Sequence, residues 1–295
     1  MKLHSYNMSN PMRLAVNWQD QHINDRMIYS PRNTHYTKAN FPEGLHFHDY
    51  YEVLLYVEGD VRYIWEGTSF LMERGDLIVI PPSYLHMSRL NGEETNYTRY
   101  VFYLYPNAFD AFGGGALLDF LHANSGKPFL SSLKAGALER VLSLLDQLNT
   151  ALHSGAEDDR ALAQGLMVQI FHIFNRQARQ HSRSDAYFPQ NVLDIQQYID
   201  EHFTELSSVS DVASHFFYSR EYVSRLFKRY LNTTVTDYIL KRRISYSQQL
   251  ISAGVPLIDA GFQAGFGSVS TFIRSFRNVV GMTPSDYRKL IPSQE

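Results

Sequence analysis

The chain has no cysteine among its 295 residues. That excludes a disulfide framework and any thiolate metal site. It also lacks a run near the roughly 20 consecutive apolar residues of a membrane-spanning helix. Residues Met1 to Asp20 have no apolar stretch of the kind a secretory leader needs. Strong net charge is missing too. The formal charge is −3, which taken alone argues against a nucleic-acid binder. No paired carboxylates, Ser-His-Asp set or phosphate-cradling loop appears, so the common hydrolase and nucleotide-enzyme classes have no foothold. The expectation is a soluble cytoplasmic protein with no membrane partner and no cofactor. Its 44% hydrophobic content is ordinary for a globular chain, and its length allows two or three domains.

What is present is a duplication. Arg225 and Arg274, Phe227 and Phe276, Lys228 and Arg277, Asp237 and Asp286, and Tyr238 and Tyr287 are all 49 positions apart. A fixed offset over five pairs marks a repeated supersecondary unit. Each copy opens with a short apolar helix: Val209, Val212, Ala213 and Phe216 in the first, Leu257, Ala260, Gly261 and Ala264 in the second. The i, i+3, i+4, i+7 spacing puts each set on one face. Ala213 and Gly261 are small where two helices cross closely. Polar breaks follow, with Ser219 and Ser268 as N-caps. Second helices are predicted from about Arg220 to Tyr230 and from about Val269 to Val280. Asn232 and Gly281 then stand where a left-handed residue ends a helix.

With Val223, Leu226, Phe227, Phe272 and Phe276 facing inward, the outward residues are Arg220, Glu221, Ser224, Arg225, Lys228 and Arg229 on the first helix. On the second they are Ser268, Val269, Ser270, Thr271, Ile273, Arg274 and Arg277. Such a helix enters a DNA major groove with its N-terminal half at the base edges. Arg225 and Arg274 suit guanine O6 and N7. Lys228, Arg229 and Arg277 suit phosphates, which orient without specifying sequence. Glu221 either accepts from a cytosine amino group or repels misplaced phosphates. A linking helix over about Thr236 to Ala253 would separate the two units by roughly 25 Å. From residue 191 onward there are 11 basic and 10 acidic residues, so the positive charge is a local stripe rather than a domain-wide excess. Modest non-specific affinity with strong salt sensitivity is expected.

These residues resemble the DNA-binding domain of the AraC/XylS family of transcription regulators. The similarity rests on Tyr222 to Lys228, Lys241-Arg242-Arg243-Ile244, Gly265-Phe266, Phe272 to Arg277 and Gly281 to Arg288. It covers about a third of the chain. Asn232 replaces a more usual Gly, Gly261 and Ser247 more usual alanines, and Thr271 a frequent aromatic or His. The resemblance implies operator DNA as a partner, a small-molecule effector such as a sugar, a homodimer, and RNA polymerase as a further partner.

Residues 41–105 read as β-structure. Runs such as Glu52 to Val57, Val61 to Trp65 and Leu77 to Ile80 are punctuated by Gly59, Gly75 and Pro81-Pro82, suggesting a small antiparallel barrel or jelly roll. The spacings His46-x-His48-x3-Glu52 and Gly75-x5-Pro81-x4-His86 resemble the two cupin motifs. On a strand, His46 and His48 point to one side. Two readings stand side by side. His46, His48, Glu52, Trp65, Tyr84 and His86 line an effector pocket or hydrogen-bond nearby turns; here no metal is expected. Alternatively, His46, His48, Glu52 and His86 bind a metal. Trp65 is the first choice to stack on a sugar ring.

Two helical stripes follow: Leu138, Val141, Leu142, Leu145 and Leu148, then Leu162, Leu166, Ile170, Ile173 and Phe174. They either pack on the barrel alone or also build a dimer interface. The expected fold class is α+β: an N-terminal arm and cupin-like barrel over 1–112, a helical dimerisation segment over 113–180, a linker over 181–190, and an all-α double helix-turn-helix domain over 191–295. The leading reading is a ligand-responsive transcription regulator of carbohydrate or related metabolism. The alternatives are a metal-dependent cupin enzyme fused to a DNA-binding module, and a constitutive DNA-binding protein whose barrel only dimerises.

Overall fold

The computed structural model describes residues 21–24, 27–41, 44–48, 50–65, 68–82, 84–105, 108–109, 115–122, 128–154, 157–177 and 189–290. Residues 1–20 of the predicted N-terminal arm and 181–188 of the predicted interdomain linker fall outside them. The strands are β1 (Gln21–Asn24), β2 (Met27–Thr37), β3 (Tyr51–Glu58), β4 (Val61–Trp65), β5 (Thr68–Leu71), β6 (Asp76–Ile80), β7 (His86–Leu90), β8 (Glu94–Leu104) and β9 (Phe129–Ser132). They form a six-stranded sheet in the order β1-β2-β8-β3-β6-β9 and a three-stranded sheet in the order β5-β4-β7. Every pairing is antiparallel.

The period-two alternation of a strand sorts the side chains into three layers. On β3, Leu54 and Tyr56 face the interior between the two sheets, while Val53 and Leu55 face a pair of helices. On β8, Tyr97 and Val101 face the interior, and Phe102 and Leu104 face the helices. Those helices are α1 (Ala135–Ser154) and α2 (Glu157–Gln177). On β4, Tyr63 and Trp65 point inward, but Ile64 points the other way. With Leu45, Leu85 and Met87, Ile64 joins a core built mainly from the helices after residue 190. The small sheet is thus covered on both faces, by the barrel interior and by the C-terminal domain.

Three expectations are corrected here. The sheet does not end at residue 112, because β9 pairs with β6 through Asp76↔Ser132 to Val79↔Phe129. The segment around His46 is not a regular strand: His46 makes one isolated antiparallel bridge to His86. The helical stripes are used within the chain. Leu138, Val141, Leu145, Leu148, Leu166, Ile170 and Phe174 are buried against the large sheet. Of the apolar residues in those stripes only Leu162, 51% exposed, stands clear, so these faces are not free to meet a second chain.

The C-terminal domain contains α3 (Gln190–His202), α4 (Val209–His215), α5 (Arg220–Leu231), α6 (Val235–Ser252), α7 (Leu257–Gln263), α8 (Val269–Val280) and α9 (Pro284–Leu290). Its caps are where the residue types ask for them. Ser219 Oγ accepts from the Tyr222 N–H and Ser268 Oγ from the Thr271 N–H. Asn232 (φ 47°) and Gly281 (φ 84°) close α5 and α8 in the left-handed conformation. The departures from the family pattern also find reasons. Ser247 is fully buried, and its hydroxyl donates to the Ile244 carbonyl at 2.7 Å. A Cβ at Gly261 would fall 2.7 Å from the Phe272 ring, so glycine lets α7 and α8 cross at this distance.

Candidate functional site

The two predicted recognition helices are real and their outward faces are open. Arg220, Glu221, Ser224, Arg225, Lys228 and Arg229 on α5 are all exposed. On and before α8, Ser268, Ser270, Thr271, Ile273, Arg274 and Arg277 are exposed, and Val269 is half-buried. Among the described residues no carboxylate pairs with Arg225 or Arg274. Val223 and Phe227, and Phe272 and Phe276, anchor the opposite faces in two separate cores. The 18-residue α6 joins the two units, a span of about 27 Å at ~1.5 Å per residue.

The basic residues of α6 do other work. Arg242 pairs with Asp200 at 2.9 Å. Arg243 donates Nε to the Phe203 carbonyl at 2.8 Å, and Nη2 to the carbonyls of Thr204 at 3.3 Å and Leu206 at 2.7 Å. The Lys241 ammonium donates to the Leu45 carbonyl. The linker-helix part of the expected DNA stripe is therefore spent on the protein itself, leaving α5 and α8 as the cationic rows.

In the barrel the structure brings His46, His48, Glu52 and His86 together. The His46 and His86 ring centroids are 4.2 Å apart, and those of His48 and His86 4.8 Å. His48, Glu52 and His86 are buried, whereas His46 is exposed. The His48 and His86 Nε2 atoms lie 3.5 and 3.8 Å from Glu52 Oε2. The other Glu52 oxygen accepts from the Tyr63 hydroxyl. Burial alone would raise the Glu52 pKa, but the facing His48 and His86 imidazoles outweigh it and hold the carboxyl well below its usual range. Burial, and the neighbouring Glu52 charge after it, pushes the Tyr63 phenol well upward, keeping it a neutral donor. Tyr84 lends its carbonyl to the His86 ring at 2.9 Å. Gly75, the first residue of the second motif, has φ 92° and sits in a tight turn whose N–H donates to the Tyr56 carbonyl. It shapes the barrel rather than touching the cluster.

Trp65 does not fill the place expected for it. Its ring stacks on Phe70 at a centroid distance of 4.1 Å and the residue is 6% exposed. It belongs to the barrel core. Arg99 was missed. It lies over the Tyr97 ring at 4.0 Å, with Nη1 buried and without a hydrogen-bond partner. Its signal was in the alternation, because Tyr97, Arg99 and Val101 share one strand face and the neighbours of Arg99 are core residues.

Comparison with known proteins agrees with both halves of the chain. Residues 31–171 match the family model of an AraC-like ligand binding domain, and residues 212–290 that of a helix-turn-helix domain. The regulatory protein SoxS of Escherichia coli (strain K12) is 35% identical over 98 residues, 33% of this chain and 92% of SoxS. The uncharacterized HTH-type transcriptional regulator YdeC of Bacillus subtilis (strain 168) is 25% identical over 261 residues, covering 83% of this chain and 86% of YdeC. The melibiose operon regulatory protein of Escherichia coli (strain K12) is 32% identical over 151 residues, 47% of this chain. The match spans half the length of that relative. Among the described residues no helix is long and apolar enough to cross a membrane. With two exposed recognition helices on one duplicated domain and a β-domain of the ligand-binding type packed against it, the chain belongs to the AraC family of transcription regulators.

Proposed function

We propose that this chain is a ligand-responsive, sequence-specific DNA-binding transcription regulator that controls genes of carbohydrate or related small-molecule metabolism. It acts in the cytoplasm as a homodimer that works with RNA polymerase, and it is not an enzyme. The observation that carries the DNA reading is the pair of exposed cationic rows on α5 and α8, each backed by a buried Phe pair partner, Phe227 or Phe276. The sugar reading is supported by similarity to a regulator named for the melibiose operon. The effector sits at the polar side of the barrel interior, with His46, His48, Glu52, Tyr84 and His86, now joined by Arg99.

The test is a pull-down of genomic fragments by the purified protein, sequenced with and without candidate sugars. Enrichment of sites with two half-elements about one helical turn apart, altered by one sugar, is expected. No enrichment at low salt would sink the reading. On such a site, Arg225→Ala or Arg274→Ala is expected to weaken specific binding by about 1–3 kcal/mol and to relax selectivity at one base position. Lys228→Ala is expected to weaken all sequences alike and to lower the salt slope by about one. Wild-type affinity in both arginine variants, measured by fluorescence anisotropy, would show that these helices do not read bases.

A further inference from the structure

The barrel interior has a positive pole set apart from the cluster around Glu52. Strands β2 and β8 pair without a break from Met27↔Leu104 to Thr37↔Glu94, and residues directly opposite share a face. Tyr97 and Val101 face the interior. Arg99 lies between them on that face, and so does its cross-strand partner Arg32. Two half-buried arginines thus stand side by side on the inner surface of the barrel. Like charges directly opposite destabilise a sheet, because their Cβ atoms are only about 4.5–5.5 Å apart.

The company of Arg99 is phenolic rather than anionic. Its guanidinium lies 4.0 Å from the Tyr97 ring centroid, and the Tyr36 hydroxyl is its hydrogen-bond partner. Among the described residues no carboxylate forms an ion pair with it. Burial pushes the Tyr97 phenol up to about 12, so that ring is neutral and supplies no counter-charge. A ring face offsets part of a buried cation's lost hydration but does not neutralise it. Two donors are left over. Arg99 Nη1 and the Tyr97 hydroxyl are both buried and without a hydrogen-bond partner. Buried donors left unpaired are costly, and an oxyanion beside this pair accepts from both.

We propose that the effector is an anion, and that Arg32, Arg99 and the Tyr97 hydroxyl hold its carboxylate or phosphate group. A guanidinium fork matches either group, and a negative charge between two arginines turns their mutual repulsion into attraction to the ligand. The other pole of the barrel has the opposite sign. Glu52 pairs with Tyr103, four positions along β8 from Arg99, or about 13 Å at ~3.3 Å per residue. The carboxylate there repels an acid and suits hydroxyl groups. The barrel is therefore polarised, and its ligand lies with the oxyanion at the β2–β8 pair and its hydroxyl-bearing part toward Glu52. A sugar acid or a sugar phosphate has this shape of charge; a neutral sugar leaves Arg99 as it is. This names the chemical class of the effector and rests on the regulator reading above.

The test titrates full-length protein by calorimetry with sugars that differ only at C6: glucose, glucuronate and glucose 6-phosphate, then galactose, galacturonate and galactose 6-phosphate. At least one acidic member is expected to bind at least about tenfold more tightly than its neutral parent, and which one it is separates carboxylate from phosphate. Arg99→Met, which keeps the length and removes the charge, should bring that affinity down to the level of the parent. It should leave the melting temperature of the free protein equal or higher, because a buried cation without a counter-ion is gone. Arg32→Gln, on the neighbouring strand, should weaken the acid by a similar factor and checks the clamp should the first variant not fold. A neutral parent that binds as tightly as its acids, a panel with no binder, or acid affinity unchanged in the folded variants overturns the proposal. A second arm measures operator affinity with and without the acid that binds, and a change of about fivefold or more is expected. Acid binding with no operator binding in either state overturns the regulator reading and leaves the anion site standing. Operator binding without any preference for acids overturns the anion site alone.

Discussion

Gly265→Ala is expected to destabilise the C-terminal domain by about 3 kcal/mol or more, the sum of a left-handed alanine and an overpacked contact. Gly265 has φ 87°, and a Cβ there would fall 2.3 Å from the Thr204 carbonyl oxygen, 2.7 Å from its Cα and 2.8 Å from its carbonyl carbon. All three are backbone atoms, so no flexible side chain can swing away. Relief has to come from moving the turn before α4 or the one before α8. Gly267, two residues on, is the control. It has no positive φ and nothing within 4 Å of a Cβ, so Gly267→Ala should lie within about 0.5 kcal/mol of wild type. Urea unfolding followed by circular dichroism would measure both. Equal midpoints for Gly265→Ala and wild type would mean that the two helix-turn-helix units do not meet as described. The same substitution should also lower operator affinity in the surviving folded fraction, because this contact sets one recognition helix against the other.

The second large effect is expected at the same turn from its other side. Arg243→Ala removes three charge-assisted hydrogen bonds to the carbonyls of Phe203, Thr204 and Leu206. These carbonyls end α3 and enter the turn to α4, where no intrahelical donor reaches them. The guanidinium also lies 5.9 Å over the Phe266 ring of the second unit. A loss of about 2–4 kcal/mol is expected, since bonds to charged groups contribute roughly 1.5–3 kcal/mol each but part is regained as water reaches the freed carbonyls. Arg243→Lys should recover less than half, because an ammonium cannot reproduce the planar fork across three acceptors. Full recovery by lysine in thermal or urea unfolding would show that charge alone matters there.

The role of Arg243 was not legible in the sequence, and the reason is instructive. In the run Lys241-Arg242-Arg243 all three side chains read as a cationic patch. Which carbonyl or carboxylate each one meets depends on how α6 crosses α3, a non-local fact. The duplicated unit was legible because its signals are local: Ser219 and Ser268 cap within three residues, and Asn232 and Gly281 take a backbone conformation their types allow. Strands β3, β4 and β6 showed as runs rich in Val, Ile, Leu and aromatics between Gly and Pro breaks, and the gathering of His46, His48, Glu52 and His86 showed in the two cupin-like spacings. β9 did not show. Its four residues gain strand identity from pairing with β6, 50 to 56 positions earlier. α9 was missed for a different cause. Thr283-Pro284-Ser285-Asp286 carries both an N-cap and a proline at the first helical position, and Thr283 indeed accepts from the Asp286 N–H at 3.2 Å. Only seven residues follow that cap, too few for an apolar period to mark a helix. Trp65 failed as a sugar platform because aromatic content cannot tell a pocket wall from a stack on Phe70.

The apolar outer face of the small sheet has a consequence for dividing the chain. A fragment begun near residue 189 keeps α3 to α9 but bares the surface that Leu45, Ile64, Leu85 and Met87 cover, and self-association is its natural outcome. In the intact chain the two halves are tethered, so each meets the other at an effective concentration in the millimolar range. An interface under such a tether stays closed with a free energy too small to hold two separate molecules together, and it reopens for a correspondingly small push.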